Sequence, residues 1–384
     1  MKRIVFGVCW SIAFSVAQKA EGEIFGQEPA ALPATRLFRE RKAGWNRTTL
    51  GAVPLNRPEP WPSLRYEDWK DTLDAIHMWT QVVGKIRLEL TPLVNHWWNS
   101  SLAVTPRGLT TGVVPSGSGA FRIDFDFVAH ELSLVTSSGE NATIPLRSMS
   151  VAAFYREVLR SLSRLGVPDP HINLVPSEVA VAVPFPDDLD VRPYDPGRAR
   201  AFATALLKTH IVFERFRADF LGKASPVQFW WGSFDLASAR FSGRHAPAYT
   251  GGKPPNVDIH VMHEAYSHEL IAAGFWPGSS DMPRAEYYAY AMPSPEGIAA
   301  ATIGPDAAGW DPERGEFLLP YEAVRTSADP AAMVLEFLQT TYDAAADLGG
   351  WDRVLLEESV RCDCDPVPSR MERRRRLASL TPLS

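Results

Sequence analysis

Two pairs of adjacent tryptophans, Trp97-Trp98 and Trp230-Trp231, constrain this chain most, because their surroundings repeat. A Gly-Lys dipeptide precedes each pair, Gly84-Lys85 and Gly222-Lys223, after a stretch with helical periodicity. An arginine follows the second tryptophan of each pair at the same spacing of nine residues, Arg107 and Arg240, and opens a Gly- and Ser/Thr-rich turn. A repeat of this order predicts an internal duplication, with two related half-structures. The expected fold is α+β: two pseudo-repeated halves, each helix–antiparallel strands–helix, flanking a cleft.

Periodicity fills in the halves. Trp69, Leu73, Ile76, Thr80 and Val83 recur at steps of four and three, predicting a helix over 67–83 that Gly84 caps. Ile86, Leu88 and Leu90 predict a strand, and residues 97–104 another. Phe121, Ile123, Phe125 and Phe127 alternate with Arg122, Asp124 and Asp126, the pattern of a half-buried strand. A hairpin through Ser137-Ser138-Gly139-Glu140 and a helix over 150–165 complete residues 58–166. A proline-rich connection, 167–196, leads to the second half, 197–352. There Phe202, Leu206, Thr209, Phe213, Phe216 and Phe220 mark a helix. Strands are expected at 227–231, 234–240, 287–292 and 317–321, then a helix over 330–346. A long insertion, about 245–283, interrupts this half.

The chain ends are basic: residues 1–57 hold nine Lys/Arg against four acidic residues, and 361–384 hold six against three. With a net charge of −6 overall, the body between them is strongly acidic, which argues against nucleic acid as its partner. The tail 353–384 is expected to be a solvated basic end. Three cysteines, Cys9, Cys362 and Cys364, supply neither a disulfide framework nor a four-cysteine zinc site. Lys2-Arg3, an apolar run over 4–17 and Ser15-Val16-Ala17 match a secretory signal. The alternative is an upstream extension from a misplaced start; either way 1–57 lies outside the expected fold. No body segment reads as a membrane span.

Several runs resemble an uncharacterised bacterial family, domain of unknown function 5996. They include Trp61-Pro-Ser-Leu64, His77-Met-Trp-Thr-Gln81, Asn95-His-Trp-Trp98, Phe229-Trp-Trp-Gly-Ser-Phe-Asp-Leu236, Tyr266-Ser-His-Glu269 and Gly274-Phe-Trp-Pro-Gly278. The resemblance covers about 61–352. It implies a body without the N-terminal extension and a cytoplasmic location; a genuine signal at 1–17 would instead imply secreted or periplasmic. It brings no activity and no catalytic residues.

The polar residues among these aromatics are the candidates for chemistry. His77 and Gln81 lie four apart on one helical face. If 97–104 is a strand, His96 and Trp98 share one face and Asn95 the other. Arg240, Ser242 and Arg244 around a glycine turn form a candidate anion site, with Asp235 as their internal partner and Arg107 as the counterpart. In the insertion, the spacing of His263, Glu264 and His268 misses the zincin pattern, so no metal site is expected. Glu264 and His268, four apart, would pair with each other. His268 and Glu269 are expected to enter a cleft beneath Trp276. Tyr266 is a further candidate ligand contact, and one ring of each tryptophan pair, Trp98 and Trp231, would form stacking walls. Two functions follow. One is a binder of, or enzyme on, a small anionic molecule, with His96, His268 and Glu269 for proton transfer and no cofactor. The other is a structural or interaction module docking an unknown protein partner.

Overall fold

The computed structural model describes residues 60–358. The signal-like segment, all three cysteines and most of the basic tail lie outside the described residues. The first helix, α1, runs Tyr66–Leu90, a full turn and more past its expected end. Gly84 is therefore a mid-helix residue and no cap. Its missing side chain serves packing, because a Cβ there would meet the Trp231 ring at 2.3 Å. The segment 85–90 is rich in good helix formers, so its brief alternation does not make a strand. The helix stops where Pro92 drives Thr91 into extended backbone.

The first sheet is an antiparallel meander of β1 (Ala103–Thr105), β2 (Gly108–Thr110), β3 (Val114–Ser116), β4 (Gly119–Asp126), β5 (Glu131–Thr136) and β6 (Asn141–Pro145). The expected alternation holds in β4, where Phe121, Ile123 and Phe125 are buried and Arg122 pairs with Asp124 on the opposite face. Next, β7 (Met149–Ser150) leads into α2 (Val151–Arg164), where the Ser150 hydroxyl caps the helix by accepting from Ala153 N. The connection carries β8 (Val191–Arg192), paired with β7. Helix α3, Pro196–Ala218, is capped by Asp195 and buries five of its six expected stripe residues; the sixth, Phe220, is buried just past its end.

The second sheet has the order β13-β14-β12-β11-β10-β9, all antiparallel. Its strands are β9 (Gln228–Trp230), β10 (Asp235–His245), β11 (His268–Trp276), β12 (Glu286–Met292), β13 (Gly309–Asp311) and β14 (Glu316–Pro320). Between β10 and β11 stands the short α4 (Ile259–Ala265). Part of the stretch read as an insertion is thus β11, a central strand. Three helices follow: α5 (Tyr321–Thr326), α6 (Pro330–Leu348) and α7 (Arg353–Leu356).

One face of the second sheet joins the main core. Leu236, Ile271, Phe275, Tyr287, Phe317 and Leu319 belong to it together with α1, α2, α3, α6 and the inner face of the first sheet. The other face of β10, β11 and β12 carries Ala237, Ala239, Ala272 and Gly274 in its middle, and aromatic residues around them. The sheets meet where Leu102 and Phe229 exchange two backbone hydrogen bonds of 2.8 Å. The repeated motifs also cross over: Lys85 lies over the Trp231 ring at 5.6 Å, and Lys223 over the Trp98 ring at 5.5 Å.

Candidate functional site

The outer face of the second sheet forms a trough. Small residues make the floor, since strand alternation sends Ala237, Ala239, Ala272 and Gly274 to this side. Trp98, Trp230, Tyr266, Tyr288 and Tyr290 make the walls. The enclosed space is about 60 Å³, well below the ~150 Å³ that holds a benzene molecule.

Asp235 lies in this lining and is 2% exposed. Its carboxylate accepts hydrogen bonds from the Ser233 and Tyr288 hydroxyls. The Tyr288 phenol reaches it by lying across β11 at Gly274, where a Cβ would meet the ring at 2.2 Å. Among the described residues no Lys, Arg or His forms an ion pair with Asp235, so burial dominates and pushes its carboxyl up to about 6 despite the two hydroxyl donors. A buried carboxylate without a countercharge is costly, and it is commonly a sign of function.

The far end of the trough is basic. His96 does not sit in a strand: residues 95–97 form a 3-10 turn in which His96 and Trp97 have left-handed backbones, φ 57° and 60°. Such conformations persist where the surroundings over-determine them. Here the last turn of α4 does so. His96 N donates to Glu264 Oε1 at 3.0 Å, and His96 Nδ1 lies 3.1 and 3.2 Å from the carbonyls of Glu264 and Ala265. Those carbonyls place the ring proton on Nδ1 and leave Nε2 as an acceptor. Lys223 Nζ donates to it at 2.6 Å. Burial, then the Lys223 charge, pull the His96 imidazole below its ordinary range. Burial likewise lowers the Lys223 ammonium, against the opposing charge of Glu264. Glu264 thus holds His96 and does not pair with His268.

The remaining expected residues scatter. Arg240 points to the opposite face of β10, into the core. Its guanidinium lies 3.5 Å from the Phe216 ring centroid and 4.3 Å from that of Tyr342, and it donates to the Phe216 carbonyl. Asp235 is therefore not its partner. Arg244 is spent on Glu269 at 2.8 Å and on the carbonyls of Gly349 and Gly350 at the end of α6, where Ser242 also donates to Glu269 at 2.9 Å. Arg107 is exposed at the β1–β2 turn and pairs with Asp126 at 2.5 Å, so it does not meet Arg240. His268 turns its ring towards His96 (centroids 5.6 Å) and His245 (4.5 Å), whereas its neighbour Glu269 faces α6. The two do not share a site.

His77 donates to the Gly232 carbonyl at 2.9 Å, and Gln81 clasps Ser177 through both its carbonyl and amide groups, at 3.0 and 2.8 Å. Both tie the connection and the second tryptophan turn to α1. Trp231 faces inward, donating to the Ser100 carbonyl at 2.6 Å; its neighbour Trp230 is the one that lines the trough. Asn95 is exposed, and Trp276 lies on the trough face but outside the lining. Sequence reasoning missed Trp230, Tyr288, Tyr290 and Lys223. The alternation Tyr288-Ala-Tyr290 was the available signal for two of them. Among the described residues no cluster of three or more His, Cys, Asp or Glu side chains is arranged to hold a metal ion. Nor is any helix there long and apolar enough to cross a membrane.

A family model, the family of unknown function DUF5996, matches residues 61–358. The chain belongs to this family. Neither a curated protein nor a solved structure matches it.

Proposed function

We propose that this DUF5996 protein binds a small organic cation, an aminium or methylated ammonium head group, in the trough on the second sheet. The observation that carries this is Asp235: a buried carboxylate with no countercharge, set among aromatic rings. Aromatic faces attract cations, by ~2 kcal/mol or more when desolvated, and the ligand's charge would offset the cost of ionising Asp235. The anion expected from the sequence loses its donors, because Arg240 is buried in the core and the exposed Arg244 is taken up by Glu269 and two carbonyls. The aromatic residues enclose a small space instead of forming an outward patch, which favours a small ligand over a docked protein. We also read the twofold helix–strands–helix order as a duplication, supported by the crossed Lys85–Trp231 and Lys223–Trp98 contacts.

The test is calorimetry and thermal melting of the full chain with tetramethylammonium, methylammonium and small carboxylates. Binding to the native state alone raises the melting temperature by mass action. The cations should bind, with affinity rising as pH passes upward through about 6, the value for Asp235, and Asp235→Asn should abolish it. Stabilisation by the carboxylates alone, or cation binding undiminished in Asp235→Asn, would overturn the reading.

A further inference from the structure

The basic end of the trough holds a constellation that cation binding at Asp235 does not use. Lys223 presents a primary amine in contact with an imidazole acceptor, His96 Nε2, at 2.6 Å. Behind that acceptor, the Glu264 and Ala265 carbonyls fix the ring's orientation and its tautomer. Amine, base and orienting group form the arrangement that activates a nucleophile. Local sequence explains how the lysine gets there. After α3 the chain runs antiparallel beside β10, with Ser225 N bonded to the Ala239 carbonyl and Phe241 N to the Lys223 carbonyl. This edge pairing delivers Lys223 to Phe241, whose ring centroid is 4.8 Å from Nζ.

The other described lysines lack this arrangement. Lys70 pairs with Glu67 at 2.7 Å, and Lys253 donates to the Val257 carbonyl at 2.8 Å. Lys85, which burial pulls down to about 8, is 5% exposed and donates to the Ser177 hydroxyl at 3.0 Å. Lys223 is exposed, so a reactant can reach it from solvent beside His96, which lines the trough. The neighbouring His268 and His245 rings add ring-nitrogen hydrogen-bonding groups on the same rim.

We propose that Lys223 is a nucleophilic amine that condenses with a small carbonyl compound, an aldehyde or 2-oxo acid, and that His96 moves the proton. The neutral Nζ adds its lone pair to the carbonyl carbon, forming the C–N bond while the carbonyl π pair moves to oxygen. A proton leaves Nζ for His96 Nε2 and is passed to the alkoxide, giving the carbinolamine. The second Nζ proton takes the same route as the nitrogen lone pair forms the C=N bond and the C–O bond breaks, so the oxygen leaves as water and the product is the neutral imine. Amine and carbonyl thus give imine and water, with no oxidant or reductant. The flat imine can lie against Trp98 and Phe241, whose faces already meet the Lys223 side chain.

The experiment uses the full chain with glyoxylate, and in parallel acetaldehyde, under cyanoborohydride at neutral pH. Peptide mass spectrometry then reads the reduced adduct at each lysine. Lys223 should be marked about tenfold or more faster than Lys70, Lys85, Lys208 and Lys253, within the range general base catalysis supplies. His96→Gln should slow the mark at Lys223 by a similar factor and leave the exposed lysines unchanged. Lys223→Arg, which keeps the cation beside Trp98, should remove it. A rate at Lys223 no greater than at the exposed lysines of the wild type overturns the proposal, whatever the variants do. Failure here is separate from failure at Asp235, because one readout is a covalent mark and the other is binding of tetramethylammonium.

Discussion

Asp235 and Arg240 are buried charges on the same strand, five residues apart, and they face opposite sides of the second sheet. Both sit among aromatic rings. The guanidinium is at home there, stacked on Phe216 and Tyr342 and bonded to a carbonyl, and burial draws it down only to about 10. It stays charged at neutral pH. The carboxylate has the wrong sign for ring faces, whose quadrupole repels anions. Its two hydroxyl donors offset only part of the desolvation, and it titrates near 6. Among the described residues each face thus buries a charge without an ion-pair partner, Arg240 Nε included, but ring faces suit the cation on the core side and not the anion on the trough side.

Four substitutions can break or sharpen that contrast. Arg240→Ala should be the most damaging, costing about 3–5 kcal/mol in urea unfolding, because it opens a cavity between rings and orphans the Phe216 carbonyl. A loss under ~1 kcal/mol would mean the core face does not depend on its cation. Asp235→Asn should act in the other direction. The folded value of about 6 lies above the ordinary 3.8, so the native state holds this proton more tightly than the unfolded chain. Wild-type stability then falls as pH rises from about 4 to 6, and the penalty is fully present above that window, up to about 3 kcal/mol. The asparagine variant should melt higher than wild type at pH 8 without ligand, and at the same temperature near pH 4. Equal melting at pH 8 would show that Asp235 is not strained.

Gly274→Ala drives a methyl group into the Tyr288 ring. It should cost about 1–3 kcal/mol and weaken cation binding together, since Tyr288 would leave Asp235. Lost stability with intact binding would separate the tyrosine from the site. Arg244→Ala should cost least, roughly 0–1 kcal/mol, because half of its side chain is in solvent, which screens the pair with Glu269. Its effect should appear as faster amide exchange in the last turn of α6, where it holds two carbonyls.

Much of the fold was legible because one face of an element was wet. The alternation in β4 and the stripe of α3 are of this kind. Strand β11 was not, because Leu270 to Trp276 are buried on both faces and show no alternation. The turn at His96 was invisible for another reason: its left-handed backbone depends on Glu264, distant in sequence. As for the site, His96, Trp98, Asp235 and Tyr266 were singled out and do line the trough, where we propose a cation in place of the expected anion. Leu236, Ser238 and Arg240 alternate with Asp235, Ala237 and Ala239, and nothing in that run says which set meets the helices. Parity on β10 decides that Asp235 faces the trough and Arg240 the core.

The crossed lysines have a consequence for how this protein can be divided. Lys85 rests on the later tryptophan pair and Lys223 on the earlier one, so each motif finishes the other's packing. A cut anywhere in the proline-rich connection would strand both lysines away from their rings and expose the strand edges that Leu102 and Phe229 seal. The two segments are not interchangeable modules. They work like clasped hands, and shuffling one against a foreign partner would require rebuilding the grip from both sides at once.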